Sequence, residues 1–127
     1  MRYAIQTENS PTAPYSPAIV AEGKMVFISG QLPLNLETGK PHGETFRAQA
    51  EFVFQSIENL LIAAGSSWDN VIRMGVFLAD LSNFGELNQI YRQYVTANPP
   101  PARTTIQAGL PPGFALEIDC IALLPHE

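Results

Sequence analysis

The sequence predicts an α+β fold in which two helices cover one face of a β-sheet. Three observations support it: two segments with helical spacing, several segments that alternate apolar and polar residues, and an order of strands, helix, strand, helix and two strands. Helices and strands in this order pack as two layers around one core. The 127 residues are enough for one domain, which we assign to residues 1–127.

The first part of the chain predicts one strand between two irregular segments. Residues 8–17 contain three prolines and are expected to be irregular. Residues 25–28 form a short apolar run before Ser29 and Gly30, which is typical of a buried strand that leads into a turn. Residues 33–43 are rich in Pro, Gly, Asn and Thr and predict a loop.

Apolar residues at helical spacing predict the first helix over residues 44–64. Glu44 suits the positive end of the helix dipole, and Gly65 is suited to end the helix in the left-handed conformation. The apolar stripe consists of Phe46, Ala50, Val53, Ile57, Leu60, Leu61 and Ala64.

A strand at 70–79 and a second helix at 83–96 follow. Ile72, Met74, Val76 and Leu78 share one strand face, and Arg73 and Gly75 share the other. In the helix, Asn83 and Glu86 have the spacing of a capping box, and Pro99–Pro101 ends the segment. The apolar stripe of this helix consists of Phe84, Leu87, Tyr91, Tyr94 and Val95.

The last two strands, at 102–108 and 114–124, carry the charges that first suggest a site. Their even positions are apolar and suit a core; their odd positions are polar and include Arg103, Thr105, Gln107, Glu117 and Asp119. We expect this polar face to lie opposite the helices, against water or against another subunit. A simple hairpin would bring Arg103, Thr105 and Glu117 within reach, but ordinary surface charges explain the same spacing.

Composition excludes several classes of function. The net charge is −5 with seven Lys and Arg, so broad electrostatic capture of nucleic acid is not expected. Cys120 is the single cysteine and falls on an apolar strand face, which favours a buried, inert thiol. His42 and His126 lack metal-ligand spacing, so no metal site is predicted. Without a signal peptide or a membrane-length apolar run, we expect a cytoplasmic protein.

The order of several short segments resembles the Rid family, the YjgF-type reactive-intermediate deaminases. The resemblance covers residues 9–124. Its segments are Ala13-Pro14-Tyr15-Ser16, Phe27-Ile28-Ser29-Gly30-Gln31-Leu32-Pro33, Asn59-Leu60, Ala64-Gly65, Asn70-Val71, Val76-Phe77-Leu78-Ala79-Asp80-Leu81, Asn88-Gln89-Ile90-Tyr91, Pro101-Ala102-Arg103-Thr104-Thr105 and Glu117-Ile118-Asp119-Cys120-Ile121-Ala122.

This resemblance implies a chorismate-mutase-like sandwich with a mixed sheet, in which the last strand does not simply pair with the one before it. It also implies a homotrimer whose sheets form a central barrel, with clefts between subunits. The polar strand face would then meet a partner subunit, and the site would be assembled across an interface.

The resemblance further implies hydrolysis of enamine or imine intermediates, such as 2-aminoacrylate, to a 2-keto acid and ammonia. Arg103 would bind the substrate carboxylate, and Glu117 would orient the attacking water and move a proton. Backbone groups of Gly30 and Thr105 would place the substrate, and Tyr15 and Asn88 would line the cleft. No cofactor is implied. The alternatives are a module that binds small carboxylates without turnover, and a ribonuclease or translation inhibitor.

Overall fold

The computed structural model describes residues 1–10 and 12–125, and it has the predicted α+β architecture with two helices and a mixed sheet. The regular elements are β1 (Arg2–Ile5), β2 (Ala18–Ala21), β3 (Met25–Gln31), α1 (Phe46–Ala63), β4 (Val71–Leu78), α2 (Phe84–Tyr94), β5 (Ala102–Gln107) and β6 (Leu116–Leu123). Within the described ranges, no helix is both long and apolar enough to cross a membrane.

Four strands form the main sheet, in the order β3-β6-β4-β5. The pair β4 and β5 is parallel, whereas β6 runs antiparallel to both β3 and β4. The simple hairpin that the spacing left open for the last two strands is therefore wrong, because β4 lies between β5 and β6. The mixed sheet without that pairing, which the resemblance implied, is confirmed. A parallel neighbour needs a crossover connection, and α2 with the turn before it supplies one between β4 and β5.

Residues next to helix α1 determine where it begins and ends. The Thr45 hydroxyl accepts a hydrogen bond from the amide of Ala48 at 3.1 Å, so the helix begins after this cap rather than at Glu44. At the other end Gly65 has φ +83°, the left-handed conformation that glycine adopts at low cost. Gly65 therefore ends the helix as predicted.

Helix α2 starts differently from the prediction. A 3₁₀ turn over Leu81–Asn83 precedes it, and the Asp80 carboxylate caps that turn by accepting from the amide of Ser82 at 2.9 Å. The capping box is wrong, because Asn83 makes no side-chain cap and its backbone is not extended. The chain can enter α2 from a 3₁₀ turn because such turns are common at helix starts.

The core lies between the helices and one face of the main sheet. Its residues come from both helices and from alternate positions of the strands. The predicted apolar stripes need correction at three positions. Leu60 was predicted to face the core but is 41% exposed, and Phe54 and Ile90, which the stripes omitted, are fully buried. A register irregularity after Val71 also buries Val71 in place of Ile72.

The beginning of the chain adds two features that the sequence pattern did not predict. Strands β1 and β2 pair antiparallel as a separate two-stranded sheet. Strand β3 extends to Gln31 through a bulge and is an edge strand rather than a buried one, since Phe27 is 70% exposed and only Ile28 of its residues is buried. The predicted irregular lead-in and the 33–43 loop are confirmed where described.

The most consequential correction concerns β5. Its parallel register places Arg103 beside Met74 and Thr105 beside Val76, both core positions of β4. Arg103 and Thr105 therefore face the helices, and Ile106 is 46% exposed on the opposite face. On β6 the predicted alternation is correct, because the even positions Leu116, Ile118, Cys120 and Ala122 are buried. The two strands thus present their odd positions to opposite sides of the sheet.

Candidate functional site

Arg103 lies on the edge strand β5, on the helix side of the sheet, and only 9% of the residue is exposed. Three aromatic rings surround its guanidinium group. The Cζ atom lies 4.7 Å from the ring centre of Tyr91, 5.2 Å from that of Tyr15 and 5.6 Å from that of Phe84. Cations are attracted to aromatic ring faces at such distances, so the rings hold the guanidinium in place.

Two chain segments supply these rings. Phe84 and Tyr91 are seven residues apart on α2, which is close to two helical turns, so both project from one side of the helix. Tyr15 comes from the irregular lead-in segment. That segment is fixed next to β5 because the Ser16 amide donates to the carbonyl of Pro101 at 3.0 Å and Ser16 bridges to Ala102.

The polar atoms around Arg103 are buried but unpaired. Both terminal nitrogens of Arg103, Nη1 and Nη2, make no hydrogen bond to any described residue. The same is true of the Tyr91 hydroxyl, Thr105 Oγ1 and Asn88 Oδ1. Buried polar groups are nearly always satisfied in folded proteins, so a cluster of unsatisfied groups indicates a place for a ligand.

The electrostatics of this cluster favour an anion. Burial lowers the pKa of Arg103, while Tyr91 and Tyr15 oppose that shift, and the guanidinium stays charged because its normal pKa is so high. Burial also raises the pKa of Tyr91 strongly, although the charge of Arg103 acts in the opposite direction. The phenol is therefore neutral, and the cluster carries one positive charge without a described carboxylate paired to it.

A cavity of about 210 Å³ lies over this cluster and is lined by Tyr15, Phe84, Arg103 and Thr105. We call these four residues, with Tyr91 beneath them, the arginine pocket. A planar carboxylate matches the two terminal nitrogens of a guanidinium bidentately. The pocket can therefore bind a small carboxylic acid whose apolar part lies against the aromatic rings.

Glu117 and Gly30 lie on the other side of the sheet. Glu117 is opposite Phe77 of β4, and it faces away from the helices. Its carboxylate lies over Gly30 of β3, where a Cβ atom would overlap Oε2. Glycine at this bulge therefore leaves the space that the carboxylate occupies.

Asp119 repeats this arrangement on the opposite flank of β6. It lies over Gly75 of β4, where a Cβ atom would likewise overlap its carboxylate. The face around the two acids is mixed rather than mostly polar as predicted. Arg73 and Thr104 lie there, but Phe27 is 70% exposed and Ile106 is 46% exposed. We call this surface, with Phe27, Phe77, Ile106, Glu117 and Asp119, the open face.

The structure therefore divides the predicted site residues into two groups. Tyr15, Arg103 and Thr105 meet in the arginine pocket, and Asn88 lies one helical turn from Phe84 on α2. Gly30 and Glu117 meet on the open face, and a cavity of about 350 Å³ that includes Gly30 lies there. Within the chain the two groups are separated by the sheet.

Sequence reasoning assigned Phe84 and Tyr91 to the core and missed their contact with Arg103. Phe84 is 40% exposed at the mouth of the pocket. Tyr91 is buried as predicted, but its hydroxyl serves no packing purpose. A tyrosine in a core stripe is itself a signal, because a buried phenol hydroxyl normally needs a hydrogen-bond partner.

The other candidate groups behave as structural residues. Cys120 is buried, and burial raises its thiol pKa to about 12, so no thiolate forms near neutral pH. His42 stacks on Phe52 with ring centres 4.3 Å apart. His126 lies outside the described residues. Among the residues that are described, no group of three His, Cys, Asp or Glu side chains could hold a metal ion.

Comparison with known proteins gives one family over nearly the whole chain. A family model described as Endoribonuclease L-PSP matches residues 6–124. Protein DfrA from Myxococcus xanthus is 42% identical over 126 residues, which are 96% of this chain and 95% of that protein. The chloroplastic Reactive Intermediate Deaminase A of Arabidopsis thaliana is 43% identical over 123 residues, which are 94% of this chain and 65% of that protein.

Solved structures agree with the sequence comparison. The crystal structure of RidA from the Antarctic bacterium Psychrobacter sp. PAMC 21119 matches with a TM-score of 0.71 at 41% identity. The match covers 96% of this chain and 99% of that one. Sequence and fold therefore point to the same group of proteins.

Proposed function

This chain belongs to the Endoribonuclease L-PSP family, the Rid or YjgF proteins, and we propose that it is a deaminase of reactive enamines and imines. In this proposal it hydrolyses 2-imino acids, such as the imine tautomer of 2-aminoacrylate, to 2-keto acids and ammonia. It resembles 2-iminobutanoate/2-iminopropanoate deaminases, works as a homotrimer in the cytoplasm, and uses no cofactor. The name of the Arabidopsis relative supports the reaction.

The observation that carries the proposal is the pair of unpaired terminal nitrogens on Arg103. An imino acid has a carboxylate next to its reactive carbon, so binding that carboxylate bidentately fixes the position of the imine. The neighbouring Thr105 and Asn88 groups are unpaired as well and are available to the rest of the molecule.

Substrate entry requires a movement of the rings that cover Arg103. Both terminal nitrogens of Arg103 are buried, and the rings of Tyr15 and Phe84 flank the guanidinium. Phe84 is 40% exposed, so its ring can turn outward without opening the core. A substrate carboxylate would then replace the ring as the neighbour of the cation.

A second copy of the chain is needed to complete the proposed site. Arg103 faces the helices and Glu117 faces away from them, so one protomer cannot bring both to one substrate. Apolar residues such as Phe27 and Ile106 are exposed on the open face, and burying them against another copy of the chain would favour association. We propose that this face packs in a trimer and brings Glu117 and Gly30 to the arginine pocket of a neighbouring copy.

The proposed chemistry needs only a positioned water and one proton carrier. Glu117 accepts a proton as water adds to the imine carbon, which gives a carbinolamine. The same carboxyl group returns the proton to nitrogen. As the C–N bond breaks, the hydroxyl proton of the carbinolamine passes through Glu117 to the departing ammonia, so the keto acid and ammonium leave and Glu117 is again a carboxylate. A protonated imine is already electrophilic, so orientation and general base catalysis are sufficient.

The test is the release of keto acid from freshly generated 2-aminoacrylate. We expect Arg103→Ala to lose turnover, with Arg92→Ala as a matched control because Arg92 is an exposed arginine on α2. Equal rates for the wild-type protein and Arg103→Ala would refute the proposed reaction.

A second candidate is a module that binds small carboxylates without turnover. It is favoured by the separation of Glu117 from the arginine pocket within each protomer, which leaves a complete anion site without a base. Clear binding of 2-ketobutyrate together with absent turnover would support it. A ribonuclease is disfavoured by the net charge of −5, since RNA binding depends on positive charge.

A further inference from the structure

Tyr91 carries a polar group that the core does not need. The residue is only 1% exposed, and its ring packs at 6.2 Å from Phe54 in an edge-on geometry. A phenylalanine would fill the same space. The hydroxyl nevertheless lies in the core without a hydrogen bond to any residue in the described part of the chain.

The hydroxyl is also next to the atoms of Arg103 that await a partner. The Tyr91 ring is the nearest of the three rings to the guanidinium, with 4.7 Å between its centre and Cζ. Arg103 lowers the pKa of the phenol through its charge and through the close approach of the two side chains. That approach does not complete a hydrogen bond, because the Tyr91 hydroxyl and both terminal nitrogens of Arg103 remain without a partner. Two donors of Arg103 and one of Tyr91 are therefore buried together and unsatisfied.

We infer that the Tyr91 hydroxyl is the third donor of the carboxylate site and binds the same carboxylate as Arg103. The inference rests on the proposed function, because it requires the acid to enter the arginine pocket. A carboxylate has about four lone-pair positions, and a bidentate guanidinium occupies two of them. One remaining lone pair can accept the phenol proton, and this would satisfy all three buried donors at once.

The environment keeps Tyr91 able to donate. Burial raises its pKa and outweighs the opposing effect of the Arg103 charge, so the phenol is protonated near neutral pH. A neutral donor beside a cation adds affinity for an anion without adding a second charge to the core. This arrangement would favour carboxylates over neutral amides of the same shape.

The test is calorimetric titration of the full-length protein with 2-ketobutyrate, using Tyr91→Phe and the control Tyr94→Phe. Tyr94 also lies on α2 and stacks on Phe54 at 5.1 Å, and Arg103 is not among its ring contacts. We expect Tyr91→Phe to weaken binding by about 10-fold or more, since a hydrogen bond to a charged group is lost. The control should match the wild type.

Thermal stability separates this role from a structural one. Removing an unsatisfied buried hydroxyl should leave the melting temperature of the unliganded protein unchanged or raise it. In turnover assays the KM should rise while kcat stays near the wild-type value. A lower melting temperature together with weaker binding would assign Tyr91 a structural role and overturn the inference.

Two further outcomes are distinguishable. If the wild-type protein binds 2-ketobutyrate and Tyr91→Phe binds it equally well, only the role of Tyr91 is refuted. If the wild-type protein does not bind 2-ketobutyrate at all, the proposed function fails, and the inference fails with it.

Discussion

The arginine pocket and the open face are incomplete in opposite ways. In the pocket, polar atoms of Arg103, Tyr91 and Thr105 are buried without partners. On the open face, apolar side chains such as Phe27 and Ile106 are exposed to solvent. Burying unpaired polar groups and exposing large apolar groups are both unfavourable, so each region indicates something that is missing from the single chain.

The missing components differ in kind. The pocket is small and positively charged, which suits a small anion. The open face is broader and exposes large apolar side chains, which suits a protein surface, and it presents the carboxylates of Glu117 and Asp119 over glycines. We therefore propose that the pocket binds the substrate and that the open face serves both assembly and proton transfer.

The largest expected effect comes from Glu117→Gln. Removing the base should lower kcat by about 10²- to 10⁴-fold, because that is the usual contribution of general acid–base catalysis. Binding of 2-ketobutyrate should be nearly unchanged, since the pocket is intact. The measurement is keto-acid release combined with calorimetry.

Asp119→Asn is the matched control for that variant. Asp119 also faces away from the helices and lies over a glycine, but it is not assigned a role. It should keep turnover close to that of the wild type. Equal losses in Glu117→Gln and Asp119→Asn would show that general charge on the open face, not one base, matters.

Arg103→Met should affect binding of the carboxylate, which Glu117→Gln leaves nearly unchanged. We expect 2-ketobutyrate affinity to fall by about 100-fold, because a bidentate charged interaction is lost. Stability of the unliganded protein should change little, since replacing a buried, unpaired charge with an apolar side chain removes a desolvation cost. Calorimetry and thermal unfolding test these two points, with Arg92→Met as the control.

Phe27→Asp tests the open face as an assembly surface. A charge at this position should prevent packing, and we expect the mass measured by light scattering to fall by about threefold, from trimer to monomer. Ile62→Asp is the control, because Ile62 is 64% exposed on α1 rather than on the open face. Retention of the assembled mass in Phe27→Asp would contradict the assignment.

The smallest effect is expected outside both regions. Gly65→Ala should lower the free energy of unfolding by about 1 kcal/mol, because φ +83° is unfavourable for alanine. Gly85 lies in α2 with open space around its Cβ position, so Gly85→Ala should stabilise by up to about 1 kcal/mol. Urea unfolding measures both, and turnover should be unchanged in Gly65→Ala.

Periodicity predicted most of the fold but not the orientation of β5. The helical stripes located α1 and α2, and the even positions of β6 were correctly predicted to face the core. On β5, Ile106 and Ala108 looked like core residues, and Arg103 and Thr105 looked exposed. Alternation shows which residues share a face, whereas pairing with β4 determines which face the helices cover.

The site was harder to predict for a related reason. The resemblance to the Rid family selected Arg103 and Glu117, whereas spacing alone left open both ordinary surface charges and a hairpin that would join them in one chain. Their separation depends on β4 lying between β5 and β6, which is a long-range pairing. Phe84 and Tyr91 were missed because their spacing fits a core, and only three-dimensional contact with Arg103 reveals their second role.

The central claim is that Arg103 and Glu117 of different copies form one site, and subunit complementation tests it most directly. Arg103→Met and Glu117→Gln proteins are each expected to be inactive. When they are unfolded, mixed in equal amounts and refolded, hybrid trimers contain some sites with both residues intact. We predict recovery of about one quarter of the wild-type activity for randomly assembled cyclic trimers. Assembled hybrids without any recovered activity would contradict the account.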